Sequence, residues 1–206
     1  IDVRFIGPSA AAMDLLGSKI AAKTVAESVA VPVVPWSHGP VETVDDAVEH
    51  ARRIGFPVVV KAAAGGGGRG IRVVTSEAEL PNAFRSARAE AESAFGDPTL
   101  FVEAQVLGGR HLEVQVAADH AGNVWTLGLR DCSVQRRRQK VLEESSPVDV
   151  GDELRARILD AAHRLCRAVE YTNVGTVEFL LRPDTGDFYF LEVNTRLQVE
   201  HTVTEA

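Results

Sequence analysis

The stretch Glu192-Val193-Asn194-Thr195-Arg196-Leu197-Gln198-Val199-Glu200 carries the most information in this 206-residue chain. Polar side chains occupy every second position, and alternate side chains of an extended strand point to the same side. We therefore predict an extended backbone with one polar side, formed by Glu192, Asn194, Arg196, Gln198 and Glu200. The alternative is the solvated charged face of an ordinary sheet. The apolar character of the opposite side, formed by Val193, Leu197 and Val199, argues against that alternative.

A second carboxylate is expected beside this strip. Glu178 and Glu192 are separated by 14 positions, and a hairpin that turns around residues 183–187 places them opposite each other on one face. Two such carboxylates at 4 Å repel by about 1 to 4 kcal/mol, depending on the effective dielectric constant. A divalent cation reverses the sign of that interaction. With the Asn194 carbonyl oxygen, the pair predicts a site for Mg²⁺ or Mn²⁺ between the protein and nucleotide phosphates.

A glycine-rich loop, Gly65-Gly66-Gly67-Gly68-Arg69-Gly70, follows an apolar strand that ends at Lys61. Glycine lets backbone amides approach an anion closely, so the loop suits phosphate. It lacks the Gly-Lys-Ser/Thr of a Walker A motif, and a strand, 71–74, follows it instead of the helix of a dinucleotide fingerprint. We interpret it as a flap over phosphates, with Lys61 and Arg69 supplying positive charge. The alternative is a flexible surface linker, and Lys19 by itself fits a solvated helix face.

The segment 131–140 concentrates four cations in a chain whose formal net charge is −7. An anion site agrees best with the other motifs, while a solvated or salt-bridging basic loop is the alternative. A nucleic-acid surface is disfavoured, because no aromatic residue interleaves with these charges and the chain as a whole is acidic. His111 stands at the start of a predicted strand, and a histidine in that position is by itself more often structural than catalytic.

Hydrophobic periodicity predicts an α+β organisation. Helices are expected from a Ser9 cap to about Ser28, from Thr43 with a capping box to Asp46, over 76–93 with a second capping box from Ser76 to Glu79, and over 151–169. Strands are expected at 57–61, 71–74 and 99–103. Hairpins are expected for 112–118 with 124–129 and for 174–181 with 188–193. The basic segment should lead through a loop to the helix at 151.

Composition narrows the class of protein. Hydrophobic residues make up 45% and charged residues 25%, which is ordinary for a globular fold. No apolar run reaches the roughly 18 residues of a membrane helix, and no signal peptide is visible, so we expect a cytoplasmic protein without membrane contact. Cys132 and Cys166 are expected to be free thiols, with Cys166 in the core. The start at Ile1 and the helix that opens at Val203–Ala206 lead us to expect a segment of a longer protein.

Four motifs together closely resemble the biotin carboxylase component of acyl-CoA carboxylases and pyruvate carboxylase. They are Gly-Gly-Gly-Gly-Arg-Gly at 65–70, Arg-His-Leu-Glu-Val-Gln at 110–115, Arg-Asp-Cys-Ser-Val-Gln-Arg-Arg at 130–137 and Glu-Val-Asn-Thr-Arg-Leu-Gln-Val-Glu-His at 192–201. The resemblance implies an ATP-grasp fold of the α+β class, with a small lid lobe before a larger mixed β-sheet lobe. The implied divisions are 1–33, the end of a preceding subdomain; 34–105, the lid; and 106–206, a truncated C subdomain.

The resemblance also implies roles for individual residues. ATP would be bound by Lys19, Lys61, Gly67, Gly68, Glu103, Ala104, Gln105, Val106, His111, Gln135, Arg138, Glu178 and Glu192. Metal ions, two of Mg²⁺ or Mn²⁺, would be held by Glu178, Glu192 and Asn194. Bicarbonate would be bound by Lys140, Arg196, Gln198, Val199 and Glu200, of which Lys140, Arg196 and Glu200 would be catalytic. Ala104 stands where lysine is common in the family and Arg138 where histidine is frequent, which puts the ribose or phosphate contact of Arg138 in doubt.

The implied reaction is the ATP-dependent carboxylation of biotin on a carrier domain or protein, through carboxyphosphate, within an acyl-CoA carboxylase. Its partners would be that carrier, a carboxyltransferase and a second copy of the full-length chain in a homodimer or larger oligomer. Two alternatives remain open. One is another ATP-grasp ligase, such as the bicarbonate-using half of carbamoyl-phosphate synthetase, and the other is a non-catalytic nucleotide-sensing domain.

Overall fold

The computed structural model describes residues 5–65, 68–137, 139–145, 147 and 149–206. The helices of this part of the chain are α1 (Ala10–Gly17), α2 (Lys19–Ser28), α3 (Val44–Ile54), α4 (Leu80–Phe95), α5 (Asp152–Ala168) and α6 (His201–Glu205). The strands are β1 (Val58–Ala62), β2 (Ile71–Val74), β3 (Leu100–Ala104), β4 (Arg110–Ala118), β5 (Val124–Arg136), β6 (Gln139–Ser145), β7 (Asn173–Leu181) and β8 (Phe188–Asn194). The predicted α+β class is confirmed.

The chain divides into two compact units, each with its own hydrophobic core. The smaller unit comprises Ser18–Ile20 and Val34–Leu107. Its antiparallel sheet has the order β2-β1-β3. The run of valines in β1 is fully or nearly buried, as expected for β-branched residues in a central strand. Helices α3 and α4 pack on the sheet through the alanines on one face of each helix.

The larger unit contains the other described residues and is built on an antiparallel sheet of the order β6-β5-β4-β7-β8. One face of this sheet is apolar, with Leu112, Val114 and Val116 of β4 pointing into the core. Helix α5 contributes Ile158 and Leu165 to the same core. The alternate residues of these strands therefore point to the opposite face of the sheet. That opposite face carries most of the candidate site.

The structure corrects the prediction of one continuous helix at the start of the chain. The predicted helix over 9–28 is capped by Ser9, whose Oγ accepts from Ala12 N at 3.2 Å, but it is interrupted at Ser18. The amide of Lys19 donates to the carbonyl of Ala63, at 3.2 Å, so the helix restarts there as α2. Tertiary hydrogen bonding thus overrides the helical periodicity.

The two predicted capping boxes have different outcomes. At Thr43 both reciprocal bonds to Asp46 form, each at 3.1 Å, and the prediction is confirmed. At Ser76 the box is absent, because the Glu79 carboxylate accepts instead from the amide of Thr75 at 2.9 Å. A 3-10 turn over Glu77–Glu79 therefore precedes α4.

Both predicted hairpins form, and Glu178 pairs directly with Glu192 in the register of β7 and β8. The predicted loop after the basic segment is wrong, since strand β6 pairs there with the end of β5. The predicted extended strip is also wrong beyond Asn194, where β8 ends and the chain turns into α6. Leu197 and Val199 are 54% and 90% exposed, so the apolar side expected for this strip is not buried past Val193.

No helix among the described residues is long and apolar enough to span a membrane. Cys132 and Cys166 are both free and buried, which confirms the predicted core position of Cys166. Burial raises the pKa of the Cys166 thiol to about 12.

Candidate functional site

The smaller unit places Lys61 at the penultimate position of β1, next to the glycine-rich loop. Its ammonium group forms an ion pair with Glu103 of the neighbouring strand β3, and both side chains are largely buried. Lys19 reaches the same loop, because its Nζ donates to the carbonyl of Gly65. The alternative of a solvated helix face does not describe Lys19 in this structure. The chain therefore brings the two predicted phosphate lysines to the start of one loop.

The rest of this loop is only partly described. Gly68 lies in the described part with a positive φ of 75°, while the predicted phosphate-binding Gly67 lies outside the described residues. Arg69, predicted to supply charge, lies over the ring of Phe95 with its guanidinium 5.1 Å from the ring centroid. The segment predicted to run beside adenine begins at the end of β3. There the amide of Ala104 donates to Pro35 O and that of Gln105 to Pro57 O, and Val106 follows in an irregular segment.

The larger unit gathers its charged side chains around Lys140. Lys140 Nζ donates to Glu113 Oε2, to Glu200 Oε1 at 3.0 Å and to Glu178 Oε1 at 3.2 Å. The lysine side chain is 19% exposed, and that of Glu178 only 5%. Three residues distant in sequence thus meet at one cation.

Strand registers explain why these side chains converge. Glu113 of β4 stands opposite Glu178 of β7, and Glu178 stands opposite Glu192 of β8. On the other side of β4, Glu113 pairs with Arg130 of β5. Lys140 comes from β6, where it pairs with Gln135. Side chains that face each other across adjacent strands share one face of the sheet, so the charged residues form a row across it.

His111 connects Glu178 to Gln135. The Gln135 amide lies 2.7 Å from His111 Nδ1, and His111 Nε2 lies 2.7 Å from Glu178 Oε2. Because the amide nitrogen can only donate, Nδ1 accepts and Nε2 carries the proton that is donated to the carboxylate. His111 therefore orients Glu178. The predicted neighbour Arg138 lies outside the described residues.

The segment after β8 reaches the same row by turning instead of extending. Asn194 Nδ2 donates to Glu178 Oε1 at 2.8 Å, and Gln198 is buried, where its Oε1 accepts from Thr176 Oγ1 at 2.5 Å. Glu200 then reaches Lys140 from the N-cap position of α6. Arg196 is exposed, with Nη1 3.2 Å from Leu197 O, and it does not join the cluster.

The electrostatic environment favours the ionised forms of Lys140, Glu178 and Glu200. Burial alone would lower the pKa of Lys140, but the charge of Glu178 and the bonds with Glu113 outweigh it and raise that pKa. For Glu200, burial acts to raise the pKa, yet its own backbone amide and Lys140 hold the pKa below its usual value. For Glu178, the same effect of burial is outweighed by the bond from His111, and the pKa is lowered. A protonated lysine therefore faces carboxylates.

The metal prediction is tested by the donor set. Glu178 and Glu192 are paired across two strands, and Asn194 lies at the end of the same strand as Glu192. Carboxylate and amide oxygens are the ligands that Mg²⁺ and Mn²⁺ take, so the residue types fit. The Asn194 amide turns its nitrogen to Glu178, and half a turn of the amide group would present its oxygen instead. The predicted residues are thus compatible with a divalent cation.

A different acidic group, formed by Glu113, Cys132 and Glu143, also has its ligand atoms within 4.8 Å of one another. Arg130 and Lys140 both contact Glu113, and two positive charges oppose the entry of a cation. Burial and Glu113 raise the pKa of the Cys132 thiol, which keeps it neutral. This group therefore belongs to the ion-pair network.

Sequence reasoning missed Glu113 and Arg130 as site residues. Both side chains are buried, and Arg130 Nε donates to Glu113 Oε1 at 2.6 Å. A signal was present in Arg-His-Leu-Glu-Val-Gln at 110–115, where His111, Glu113 and Gln115 alternate with apolar residues. The polar face of a predicted strand pointed to Glu113 before its partners were known.

Comparisons with known proteins agree with these motifs. The family described as Carbamoyl-phosphate synthase L chain, ATP binding domain, matches residues 18–206. Biotin carboxylase 1 of Bacillus subtilis is 48% identical over 205 residues, which is 100% of this chain and 46% of that protein. Pyruvate carboxylase 1 of Caenorhabditis elegans is 53% identical over 201 residues, 98% of this chain and 17% of that protein. The chain thus spans less than half the length of these relatives.

Solved structures give the same result. A biotin carboxylase from Campylobacter jejuni, in a complex with β,γ-ATP, superposes with a TM-score of 0.96 at 48% identity, covering 99% of this chain and 46% of that one. The biotin carboxylase domain of a Hydrogenobacter thermophilus 2-oxoglutarate carboxylase, with MgADP, ADP and bicarbonate, has a TM-score of 0.94 at 42% identity, covering 98% and 45%. The predicted ATP-grasp fold and the resemblance to biotin carboxylases are confirmed. The chain belongs to the family of the carbamoyl-phosphate synthase L chain ATP-binding domain, within which it is similar to biotin carboxylases.

Proposed function

We propose that this chain is the ATP-binding core of a biotin carboxylase, which uses ATP and bicarbonate to carboxylate biotin on a carrier domain or protein. The observation that carries the proposal is the contact of Lys140 with both Glu178 and Glu200. It joins a cation, a carboxylate suited to metal binding and a carboxylate suited to proton transfer on one face of a sheet. A small oxyanion that must be held, deprotonated and phosphorylated needs these three groups together.

The proposed chemistry begins with bicarbonate held by Lys140, Arg196, Gln198 and the backbone of Val199. Glu200 removes the bicarbonate proton while a bicarbonate oxygen attacks the γ-phosphorus of ATP. The bond from that phosphorus to the oxygen of ADP breaks, which leaves carboxyphosphate and ADP. The lowered pKa of Glu200 keeps it ionised at neutral pH and able to accept the proton, although it also makes Glu200 a weaker base.

In the second stage a ureido nitrogen of biotin bonds to the carboxyl carbon of carboxyphosphate, the bond from that carbon to the phosphate oxygen breaks, and the departing phosphate takes up the proton of the nitrogen. In this stage Arg196 would steady the negative charge that develops on the ureido oxygen. Its exposed position leaves its guanidinium accessible to a substrate.

ATP is proposed to bind through the residues that the resemblance implies. Lys19, Lys61, Gly67 and Gly68 would meet its phosphates, and Glu103, Ala104, Gln105 and Val106 would run beside adenine. His111, Gln135 and Arg138 would lie near the ribose and phosphates. The lysines at the start of the glycine-rich loop support this assignment, because they bring positive charge to a run of glycines, whose amides can approach an anion closely.

Glu178, Glu192 and Asn194 would hold two ions of Mg²⁺ or Mn²⁺. Such ions, when bound, offset the charge that builds on the transferred phosphoryl group. His111 and Lys140 keep Glu178 in place and ionised, and a bound cation would take over part of the contact that Lys140 now makes with this carboxylate.

The wider context is also a proposal. The full-length protein would work with a biotin carrier and a carboxyltransferase, as a homodimer or larger oligomer, and the predicted acceptor is an acyl-CoA. Some relatives are named pyruvate carboxylase or 2-oxoglutarate carboxylase, and these names specify acceptors other than an acyl-CoA. We therefore take biotin carboxylation to be the step common to all of them. The cytoplasmic location stays a prediction.

The first experiment measures ADP release by the full-length protein that carries this chain, with MgATP and bicarbonate, with and without free biotin. We expect biotin to stimulate the rate. If bicarbonate-dependent turnover ignored biotin but responded to an ammonia donor, the proposal would be replaced by a carbamoyl-phosphate type of ligase.

A substitution tests the proposed base. Glu200→Gln preserves shape but cannot accept the bicarbonate proton, so we expect bicarbonate-dependent turnover to fall by about 100-fold or more. ATP binding should persist, which a nucleotide titration would show. The matched control is Glu205→Gln on the same helix, whose carboxylate meets His201 and should matter little. Full phosphate release by Glu200→Gln would refute the assignment and favour a binding role.

A further inference from the structure

Glu200 and Thr204 occupy two ends of one helical turn, since Glu200 is the N-cap of α6 and Thr204 lies within it. Glu200 is bound by Lys140, and Thr204 is bound by Arg130. We infer that Arg130 and Thr204 are positioning residues that fix α6, and with it the carboxylate of Glu200, over the sheet. The inference rests on the proposed function, because it assigns a purpose to the placement of the proposed base.

The contacts of Arg130 with residues other than Thr204 already hold its side chain in one orientation. Its side chain is 1% exposed, and its Nε donates to Glu113 Oε1 at 2.6 Å. Its Nη1 donates to Gln115 Oε1 at 2.9 Å. Both acceptors belong to strand β4, in the centre of the sheet. A planar guanidinium fixed at two points has its remaining donor directions fixed as well.

The same Nη1 donates to Thr204 Oγ1 at 2.7 Å. No side chain of α6 is fully buried in the described residues, and Thr204 is half-buried. The hydroxyl of Thr204 is therefore a tether from the helix to the sheet.

The contacts close into a ring. Arg130 and Lys140 both bind Glu113, one at each carboxylate oxygen. Lys140 also donates to Glu200, and Arg130 also donates to Thr204. The helical turn between Glu200 and Thr204 completes the ring. The two tethers share one buried carboxylate, so they hold α6 relative to the same strand.

Placement of this kind matters for proton transfer. A general base must lie within hydrogen-bond reach of the proton it removes, and a displacement of about 1 Å can cost about 100-fold in rate. Lys140 contacts α6 at its N-cap residue, Glu200, and Arg130 contacts Thr204 one turn further along the helix. Two contacts on successive turns resist a tilt of α6 better than one.

The test is Thr204→Val in the full-length protein, which removes the hydroxyl and keeps the branched shape. We expect kcat for biotin-stimulated ADP release to fall about tenfold, because the base is less well placed. KM for ATP should stay within about twofold, since ATP contacts are not altered. Thr204→Ser restores the hydroxyl and should restore kcat. A purely structural defect would not separate kcat from KM in this way, nor be rescued by serine.

The matched control is Thr202→Val, the same change at an exposed position of the same helix. It should leave kcat unchanged. Should Thr204→Val fail to fold, Thr204→Ala replaces it in the comparison with serine. The inference would be overturned if Thr204→Val and Thr204→Ala both kept the wild-type kcat, or if Thr202→Val lowered kcat as much as Thr204→Val does. Either result would leave the proposed function standing. A wild-type protein that does not respond to biotin would instead overturn the proposed function, and this inference with it.

Discussion

Gly175 shows how closely a single position is packed beside the candidate site. It lies in β7 with its carbonyl oxygen accepting from Gln115 Nε2 at 3.0 Å. A Cβ added at this position would overlap the hydroxyl of Tyr171 and come within 2.7 Å of the carbonyl oxygen of Asn194. Tyr171 is 1% exposed and donates to Val174 O, so it cannot move aside freely.

We therefore expect Gly175→Ala to lower the free energy of unfolding by about 1 to 3 kcal/mol through overpacking. Urea denaturation would measure the change. The control is Gly17→Ala at the end of α1, where an added Cβ meets nothing within 4 Å. That variant should be neutral or more stable by up to about 1 kcal/mol. Equal stability of the two variants would show that β7 relaxes around the methyl group.

Individual residues were predictable in part from local patterns. Hairpin parity predicted the pairing of Glu178 with Glu192, and the structure has it, but through a register shift between Glu178 and Phe179, because Leu181 pairs with Phe188 beside the turn. The role of Glu113 as the shared partner of Arg130 and Lys140 was not predictable in this way. It depends on the alignment of three strands, one of which, β6, was expected to be a loop. Long-range register is set by packing and not by local periodicity.

The ends of helices and strands were likewise predictable where they depend on local hydrogen bonds, and not where they depend on contacts elsewhere in the fold. The capping box at Thr43 was predictable, because both of its bonds are local. The box expected at Ser76 and the continuous helix over 9–28 failed, because Glu79 and the amide of Lys19 have better partners nearby or across the fold. The polar alternation after Asn194 suggested a strand, but Gln198 turns inward to Thr176 and breaks it.

These two capping sequences allow a paired prediction. Thr43→Ala removes the hydroxyl that accepts from Asp46 N, and we expect it to cost about 0.5 to 2 kcal/mol of stability. Ser76→Ala changes a hydroxyl that makes no capping bond, so its effect should lie within about 0.5 kcal/mol. Thermal or urea unfolding of both variants would measure the difference. An equally large loss in Ser76→Ala would mean that the predicted box forms in solution.

At the scale of the whole molecule, the chain has two hydrophobic cores, one in each compact unit. Each core is covered by its own sheet and helices. The α+β class and both hairpins were visible in the sequence, because each depends on contacts between neighbouring segments. The strand order β6-β5-β4-β7-β8 was not, since its central pairing, β4 with β7, joins segments far apart in the sequence.

We expect the 206 residues by themselves to show little or no biotin-dependent turnover. The relatives that share this sequence are more than twice as long, and their named activity belongs to the whole protein. ADP release by the isolated chain, compared with the full-length protein at equal concentration, would measure this. A biotin-stimulated rate from the isolated chain similar to that of the full-length protein would contradict the expectation.

The sharing of Glu113 by Arg130 and Lys140 also restricts how this protein can change during evolution. Replacing Glu113 alone leaves two cations, one of them 1% exposed, without their common counter-charge, and an unpaired buried charge is strongly destabilising. Replacing Arg130 or Lys140 alone leaves the carboxylates of Glu113, Glu178 and Glu200 with only one of these two cations. Substitutions at residues 113, 130 and 140 should therefore be far from additive, so that a viable sequence can lose this network only by several coordinated changes.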